Sequence, residues 1–179
     1  PRGWEDVEWE AGAYVSVRVG VGGDRDDDNA HRELVRQYSL VRDSLDAASH
    51  AGGDLEVCVK RVVDGRVSNQ LNDTLKPGAY VTLVGVPQSS GDFALPATTD
   101  DVATAGTAKS LHIAGGVGIT PILALLRRLA REAREARAAG TARATSTTGT
   151  SGDATLLYFN RDERAILFEP ELRALARNA

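Results

Sequence analysis

The chain has 179 residues, 42% of them hydrophobic, with a net charge of -4 at pH 7 and one cysteine, Cys58. That length allows one ample core or two small ones, and no apolar run approaches the roughly 20 residues that span a bilayer. The acidic balance argues against a nucleic-acid partner, and a lone thiol supplies neither an internal disulfide nor a Cys-rich metal cluster. The opening PRGWEDVEWE has no basic-then-apolar signal pattern, so a reducing, cytoplasmic setting is expected.

Along the front half, AYVSVRV (13–19), LEVCVKRV (55–62) and AYVTLVGV (79–86) are β-branched, roughly alternating runs separated by Gly, Asp, Asn and Pro, which predicts antiparallel strands of a small β-barrel or sandwich. RELVRQYSLVRDS (32–44) is also strand-like, but it sets a cation, an aromatic ring and a hydroxyl side by side. GGDRDDDNAHRE (22–33) is a polar loop. Asp24, Asp26 and Asp28 mimic the start of a calcium loop, yet Asn29 stands where the turn needs Gly and Val35 where a bidentate Glu is required, so no metal is assigned.

After LPATTDDVATAGTAKS the pattern changes. LHIAGG predicts a short buried strand, residues 121–139 a long helix, ATLLYFNR (154–161) another strand and EPELRALA the start of another helix, the alternation of a parallel α/β sheet. Thr120 is the expected N-cap of the long helix, Pro121 its first residue, and Gly140 lies just past its end. Ile122, Leu125, Leu126, Leu129 and Ala133 share its apolar face, and Arg127, Arg128, Arg131 and Arg134 are expected to face water mostly. TARATSTTGTSGD (141–153) reads as a loop.

Three stretches could carry chemistry. AGGVGITP (114–121) joins a strand to a helix start, where free N–H groups and the helix dipole favour an anion; the ligand-free alternative is a tight turn, and both readings stand at this point. RVSNQL (66–71) opens a short helix with Ser68 as its expected N-cap, or as part of a second phosphate cradle. Arg36 and Tyr38 project to one side of a strand, a guanidinium beside a ring able to stack, with Ser39 opposite unless the strand ends there.

GAYVSV, RQYSL, VKRVVDGRVSNQL, GDFAL, AGGVGITP and LLYFNRDERAILFEPEL occur in the order and approximate spacing of the ferredoxin-NADP reductase superfamily, and the chain most resembles the reductase part of flavohemoglobins. The resemblance implies an antiparallel flavin-binding β-barrel over residues 1–100, without its first strands, followed by a partial parallel α/β nucleotide-binding domain over 108–179. It implies FAD, preferred over FMN because of GDFAL, and NAD(P)H as cofactors. Tyr14, Arg36, Gln37, Tyr38 and Ser39 would form the flavin site, with Arg36 on the diphosphate, Tyr38 on the ring system and Ser39 near N5. Val67 and Ser68 would form the phosphate-binding turn. Gly115, Gly116, Val117, Gly118, Ile119, Thr120 and Pro121 would form the nicotinamide-nucleotide loop, with Thr120, Tyr38 and Ser39 closest to the chemistry.

The implied reaction is hydride transfer from NAD(P)H to FAD, then single electrons to a haem, an iron–sulfur centre or another redox protein or fused domain. His31, His50 and His112 are given no catalytic role, since no side-chain base is needed, and Cys58 reads as a small buried strand residue. Arg161 or Arg164 is a candidate for a 2′-phosphate, and NADH against NADPH stays open. Ala13 stands where the family usually has Gln. The opening strands and a later Cys-Gly-Pro-like segment of relatives are missing from the pattern, so the chain reads as a fragment. The alternatives are the reductase half of a nitric-oxide-consuming flavohemoglobin and a scaffold that has lost its cofactor.

Overall fold

The computed structural model describes residues 7–21, 32–47, 54–89, 93, 109–138 and 154–178. Its front half is built on strands β1 (Tyr14–Val21) and β2 (Arg32–Ser39), paired antiparallel from Tyr14↔Ser39 to Val21↔Arg32, with the two-residue β3 (Thr82–Leu83) on the other side of β1. Alternation drives this sheet. Val15 and Val17 are buried on one face and pack with Trp9, Ala13, Leu40, Val67 and Leu71, the last two supplied by helix α2 (Arg66–Thr74).

The sheet order is β2-β1-β3, and among the described residues these strands do not close into the expected barrel. Residues 55–62 form no strand either; their sole ladder contact is a bridge from Val57 to Leu40. Within 79–86 only Thr82 and Leu83 pair, Tyr80 and Val81 being exposed. Alternating β-branched residues satisfy strand propensity, but a strand also needs a neighbour in register, and these two segments have one only locally. The 22–33 and 141–153 loops and the acidic calcium-like pattern lie largely or wholly outside the described residues.

Trp9 ties the N-terminal segment down. Its indole N–H donates to the Arg42 carbonyl at 2.9 Å, while its own carbonyl accepts the Ser44 N–H at 3.0 Å at the start of the one-turn helix α1 (Ser44–Ala47). Gly12 is required beside it. Its φ of +94° is left-handed, and a Cβ there would run into the carbonyl oxygen of Phe93, the described residue of the GDFAL stretch.

The back half is a βαβα unit: β4 (Ser110–Gly115), a 3₁₀ turn over Gly116–Gly118, α3 (Ile119–Ala138), β5 (Ala154–Phe159) and α4 (Glu169–Asn178). β4 and β5 pair parallel from Ser110↔Ala154 to Gly115↔Phe159, as a strand–helix–strand crossover requires. Ala114, Ile119 and Ile122 form its core with Leu126, Leu156, Tyr158, Leu167, Phe168 and Leu172. Among the described residues the strands are covered on that face; Leu111, Ile113, Leu157 and Phe159 on the other are exposed. The expected buried β4 is therefore half-buried.

α3 begins at Ile119 rather than Pro121, because the 3₁₀ turn runs directly into it; Pro121 is its third residue, still within the first turn that tolerates a missing N–H. Its arginines also depart from expectation. Arg127 is 7% exposed, and Arg131 is largely withdrawn from water. The helix has two covered sides, one on the β4–β5 core and one against the front domain, where Ala124 and Leu125 pack on Ala11. An amphipathic pattern with one apolar stripe registers only the first.

Candidate functional site

β2 is an edge strand of its sheet, and its pleat divides the front-half site residues. The register places Tyr38 opposite Val15 and Arg36 opposite Val17, hence on the core side; Tyr14, Gln37 and Ser39 occupy the other side, Tyr14 paired with Ser39. The Tyr38 ring packs half-buried against the core, and burial pushes its phenol up while the neighbouring Arg36 charge pulls it partly back, so the ring is neutral at physiological pH. Arg36 is exposed and donates to the carbonyl of Val35 at 2.8 Å. Ser39 ends the strand, and Leu40 leaves it to bridge Val57.

Val67 and Ser68 sit in the first turn of α2, where the opening N–H groups have no carbonyl one turn earlier. Ser68 is not the N-cap. That position belongs to Gly65, which makes no side-chain cap bond, and the Ser68 hydroxyl instead accepts the Val62 N–H at 3.3 Å. Val67 is buried in the front core, so only its backbone is available to a ligand.

In the glycine loop, Gly116 has a left-handed φ of +50°, and a Cβ on Gly115 or Gly118 would meet open space. The loop backbone therefore presents a clear face. Thr120 is the second residue of α3 rather than its cap: its hydroxyl donates to the Val117 carbonyl at 3.0 Å and is withdrawn with the residue, which is 6% exposed. Ile119 is fully buried in the back core, Val117 is exposed and Pro121 half-buried. Tyr158 braces the loop by donating its hydroxyl to the Gly116 carbonyl at 2.9 Å.

Two further residues belong to this region. Lys60 of the front half places its Nζ 3.5 Å from where a Cβ would stand on Gly116. Since Val57 bridges Leu40, the segment 57–60 runs from the end of β2 to the glycine loop, and the two motif-bearing segments are joined by it. Asn160 follows β5 beside the loop-bearing end of β4, and both polar atoms of its amide are buried without a partner. A clear glycine backbone, a cation against it and an orphaned amide at the carboxyl end of a parallel sheet together fit a nucleotide diphosphate and its sugar. Neither Lys60 nor Asn160 is conspicuous in the sequence, where each sits in an ordinary run.

His112 is half-buried in β4, 3.0 Å from the Ser110 hydroxyl through Nε2, and burial holds its pKa below the usual histidine value. Burial likewise pushes the Cys58 thiol up. Among the described residues no group of His, Cys, Asp and Glu could hold a metal ion, and no helix is long and apolar enough to cross a membrane.

An antiparallel sheet carrying RQYS is followed by a parallel unit with a Gly-rich strand-to-helix loop, an architecture suited to holding nucleotide cofactors. Residues 5–93 match the oxidoreductase FAD-binding domain and residues 112–179 the oxidoreductase NAD-binding domain. The chain is 33% identical over 124 residues to a flavohemoprotein of Burkholderia sp. strain TH2, covering 69% of this chain and 25% of that protein. It is 35% identical over 143 residues to the ferredoxin reductase component of 3-ketosteroid-9-alpha-monooxygenase from Mycobacterium tuberculosis, covering 80% of this chain and 31% of that one. The FAD/NAD-binding domain of nitric oxide dioxygenase from Vibrio cholerae has the same fold, with a TM-score of 0.62 at 21% identity over 96% of this chain and 58% of that chain. The chain belongs to the ferredoxin-NADP reductase superfamily, with its FAD-binding and NAD-binding domains in tandem. It spans about a quarter to a third of the length of these two curated relatives.

Proposed function

We propose that the protein is a reductase module that takes a hydride from NAD(P)H onto FAD and passes electrons singly to a haem or iron–sulfur partner. The observation that carries this reading is the position of Lys60: a cation of the FAD-binding domain stands against the glycine loop of the NAD-binding domain, so an anionic nucleotide held there is gripped from both domains. When bound, FAD supplies the change from two-electron to one-electron chemistry.

The chain's own residues bind and orient. Arg36 offers an exposed guanidinium to the flavin diphosphate, Tyr38 a neutral ring face to the flat ring system, and Ser39 a hydroxyl at the strand end; Tyr14 and Gln37 flank Ser39 on the same side of the sheet. The N–H groups of Val67 and Ser68 at the start of α2 add a phosphate contact. On the other domain, the backbone from Gly115 to Gly118 and Lys60 take the nicotinamide-nucleotide diphosphate, and the Asn160 amide takes the adjoining ribose. Thr120 and Tyr158 hold the loop in shape by their bonds to the Val117 and Gly116 carbonyls. Ile119 and Pro121 set the loop by packing and backbone restriction.

That relatives include flavohemoproteins and the ferredoxin reductase component of a monooxygenase supports a haem or iron–sulfur acceptor. The test is reconstitution with FAD followed by anaerobic addition of NADH or NADPH. Visible flavin absorbance that bleaches on addition is the expected result; a chain that stays colourless after reconstitution, or a flavin that neither nucleotide reduces, overturns the reading.

A further inference from the structure

The seam between the two domains is held by two arginines of α3. Arg131 donates from both terminal nitrogens to the carboxylate of Asp43, at 2.9 and 2.7 Å, and Asp43 is 4% exposed. One turn earlier, Arg127 donates Nη1 to the Val41 carbonyl at 2.7 Å and uses Nε and Nη2 on the carboxylate of Glu171 in α4, at 2.6 and 2.8 Å. Among the described residues the apolar part of this contact includes Ala11, Ala124 and Leu125, with Val41 and Leu123 fully buried beside the arginines. Beside it opens a cavity of ≈ 430 Å³ lined by Arg42, Asp46, Arg127, Arg131, Glu171 and Leu175 among others. Packing holds the two domains together, and the directional ion pairs add control of the angle between them, because two-armed arginine–carboxylate pairs constrain orientation as well as distance.

Both grips are rigidly connected to the candidate site. Val41 and Asp43 follow Ser39 by two and four residues, on backbone pinned by Leu40 N–H to the Ala13 carbonyl at 2.8 Å, Val41 N–H to the Glu56 carbonyl at 3.1 Å and Ser44 N–H to the Trp9 carbonyl at 3.0 Å. At the other end, α3 runs unbroken from Ile119, so Arg127 and Arg131 lie about 12 and 18 Å along it from the glycine loop. A tilt of about 5° over that length moves the loop by about 1 Å, a displacement able to cost roughly a hundredfold in a reaction that depends on alignment.

We infer that Arg127 and Arg131 are positioning residues: by clasping Val41 and Asp43 they set the distance between the Tyr38–Ser39 strand end and the glycine loop, and so the approach of the two cofactors. The catalytic consequence rests on the function proposed above; the clasp itself does not.

The test uses Arg131→Met and Asp43→Asn, singly and together, with Arg131→Lys as the conservative variant. Asn at position 43 keeps the side-chain oxygen that accepts the Asp46 N–H at 2.8 Å, so α1 stays capped. Two readouts are taken on the full 179-residue chain. The first is the distance distribution between spin labels on Lys76→Cys and Arg164→Cys, in a Cys58→Ala background and without cofactors. A narrow distribution that broadens in Arg131→Met and Asp43→Asn, no further in the double variant and less in Arg131→Lys, supports the clasp; a parent distribution as broad as the variants', or variants as narrow as the parent, overturns it. The second is rapid-mixing flavin reduction at saturating NAD(P)H, where the limiting rate falls about tenfold or more while FAD occupancy and nucleotide affinity hold within about threefold. An unchanged limiting rate in a variant whose distances broaden overturns the positioning role. A parent chain that binds no FAD but shows the narrow-to-broad change sinks the proposed function and leaves the clasp standing.

Discussion

Asp43 and Arg131 are 88 residues apart in the chain and meet carboxylate to guanidinium across the domain seam, one bond from each terminal nitrogen to each oxygen. Neither position stands out by composition. Asp43 follows the RQYS strand by four residues, and Arg131 lies in what reads as the wet side of a long helix, yet together they connect the two cofactor-bearing halves. The neighbouring Arg127 has a comparable role with less freedom, because it is buried and satisfies a carbonyl and a carboxylate at once.

Replacing Arg127 by Met removes three hydrogen bonds and leaves the Val41 carbonyl and the Glu171 carboxylate without their partner. The expected loss is about 2–4 kcal/mol of stability, short of the largest values for broken buried pairs because Glu171 retains contact with water. Urea unfolding measures it, and adding Glu171→Gln to Arg127→Met should restore part of the loss by removing the stranded charge.

Lys60→Gln tests the cation at the glycine loop. Loss of one charge-assisted contact with a bound diphosphate should raise the KM for NAD(P)H about tenfold with kcat changed less than about twofold, since binding rather than chemistry is affected. Steady-state kinetics read this directly, and the parent's KM should rise with salt more steeply than the variant's.

Gly12→Ala should destabilise the front domain by about 2–3 kcal/mol, because it combines a left-handed backbone with a Cβ driven into the Phe93 carbonyl. Gly20→Ala is the control. That position has ordinary φ and no neighbour within 4 Å of an added Cβ, so its effect on the urea midpoint should stay within about 1 kcal/mol.

His112 gives the fold an acid-side weakness. Its folded pKa lies below the unfolded value of 6.5 because burial disfavours the imidazolium, so between the two values the unfolded chain binds more protons. This contribution is neutral above the unfolded pKa, and stability falls as pH drops through it, levelling off once the folded histidine also titrates. His112→Asn should flatten the urea-midpoint profile below about pH 6.5 and leave it unchanged at pH 8, and equal slopes for variant and parent would refute the assignment.

Much of the architecture was legible from the chain alone. Alternation in YVSVRVGV and RELVRQYS and the strand–glycine–helix grammar of LHIAGGVGIT report the two sheets directly, since both depend on neighbours a few residues away. Order of motifs carried the family. Sequence reading erred on 55–62 and 79–86, where propensity asked for strands that only a pairing partner could grant, and on Thr120 and Ser68, which look like caps but lie one to two positions inside their helices because a 3₁₀ turn or a glycine takes the boundary.

The residues that relate one domain to the other could not be found that way. Leu123, Arg127 and Arg131 are spaced by four along α3, a second covered stripe that hydropathy hides because two of its members are charged, and a buried guanidinium looks like a solvated one until its carbonyl and carboxylates are known. The same holds for Lys60, Asn160 and Asp43. Helices and strands follow from local periodicity, whereas the worth of a charge depends on what faces it and how much water remains, and that is decided when segments dozens of residues apart pack together.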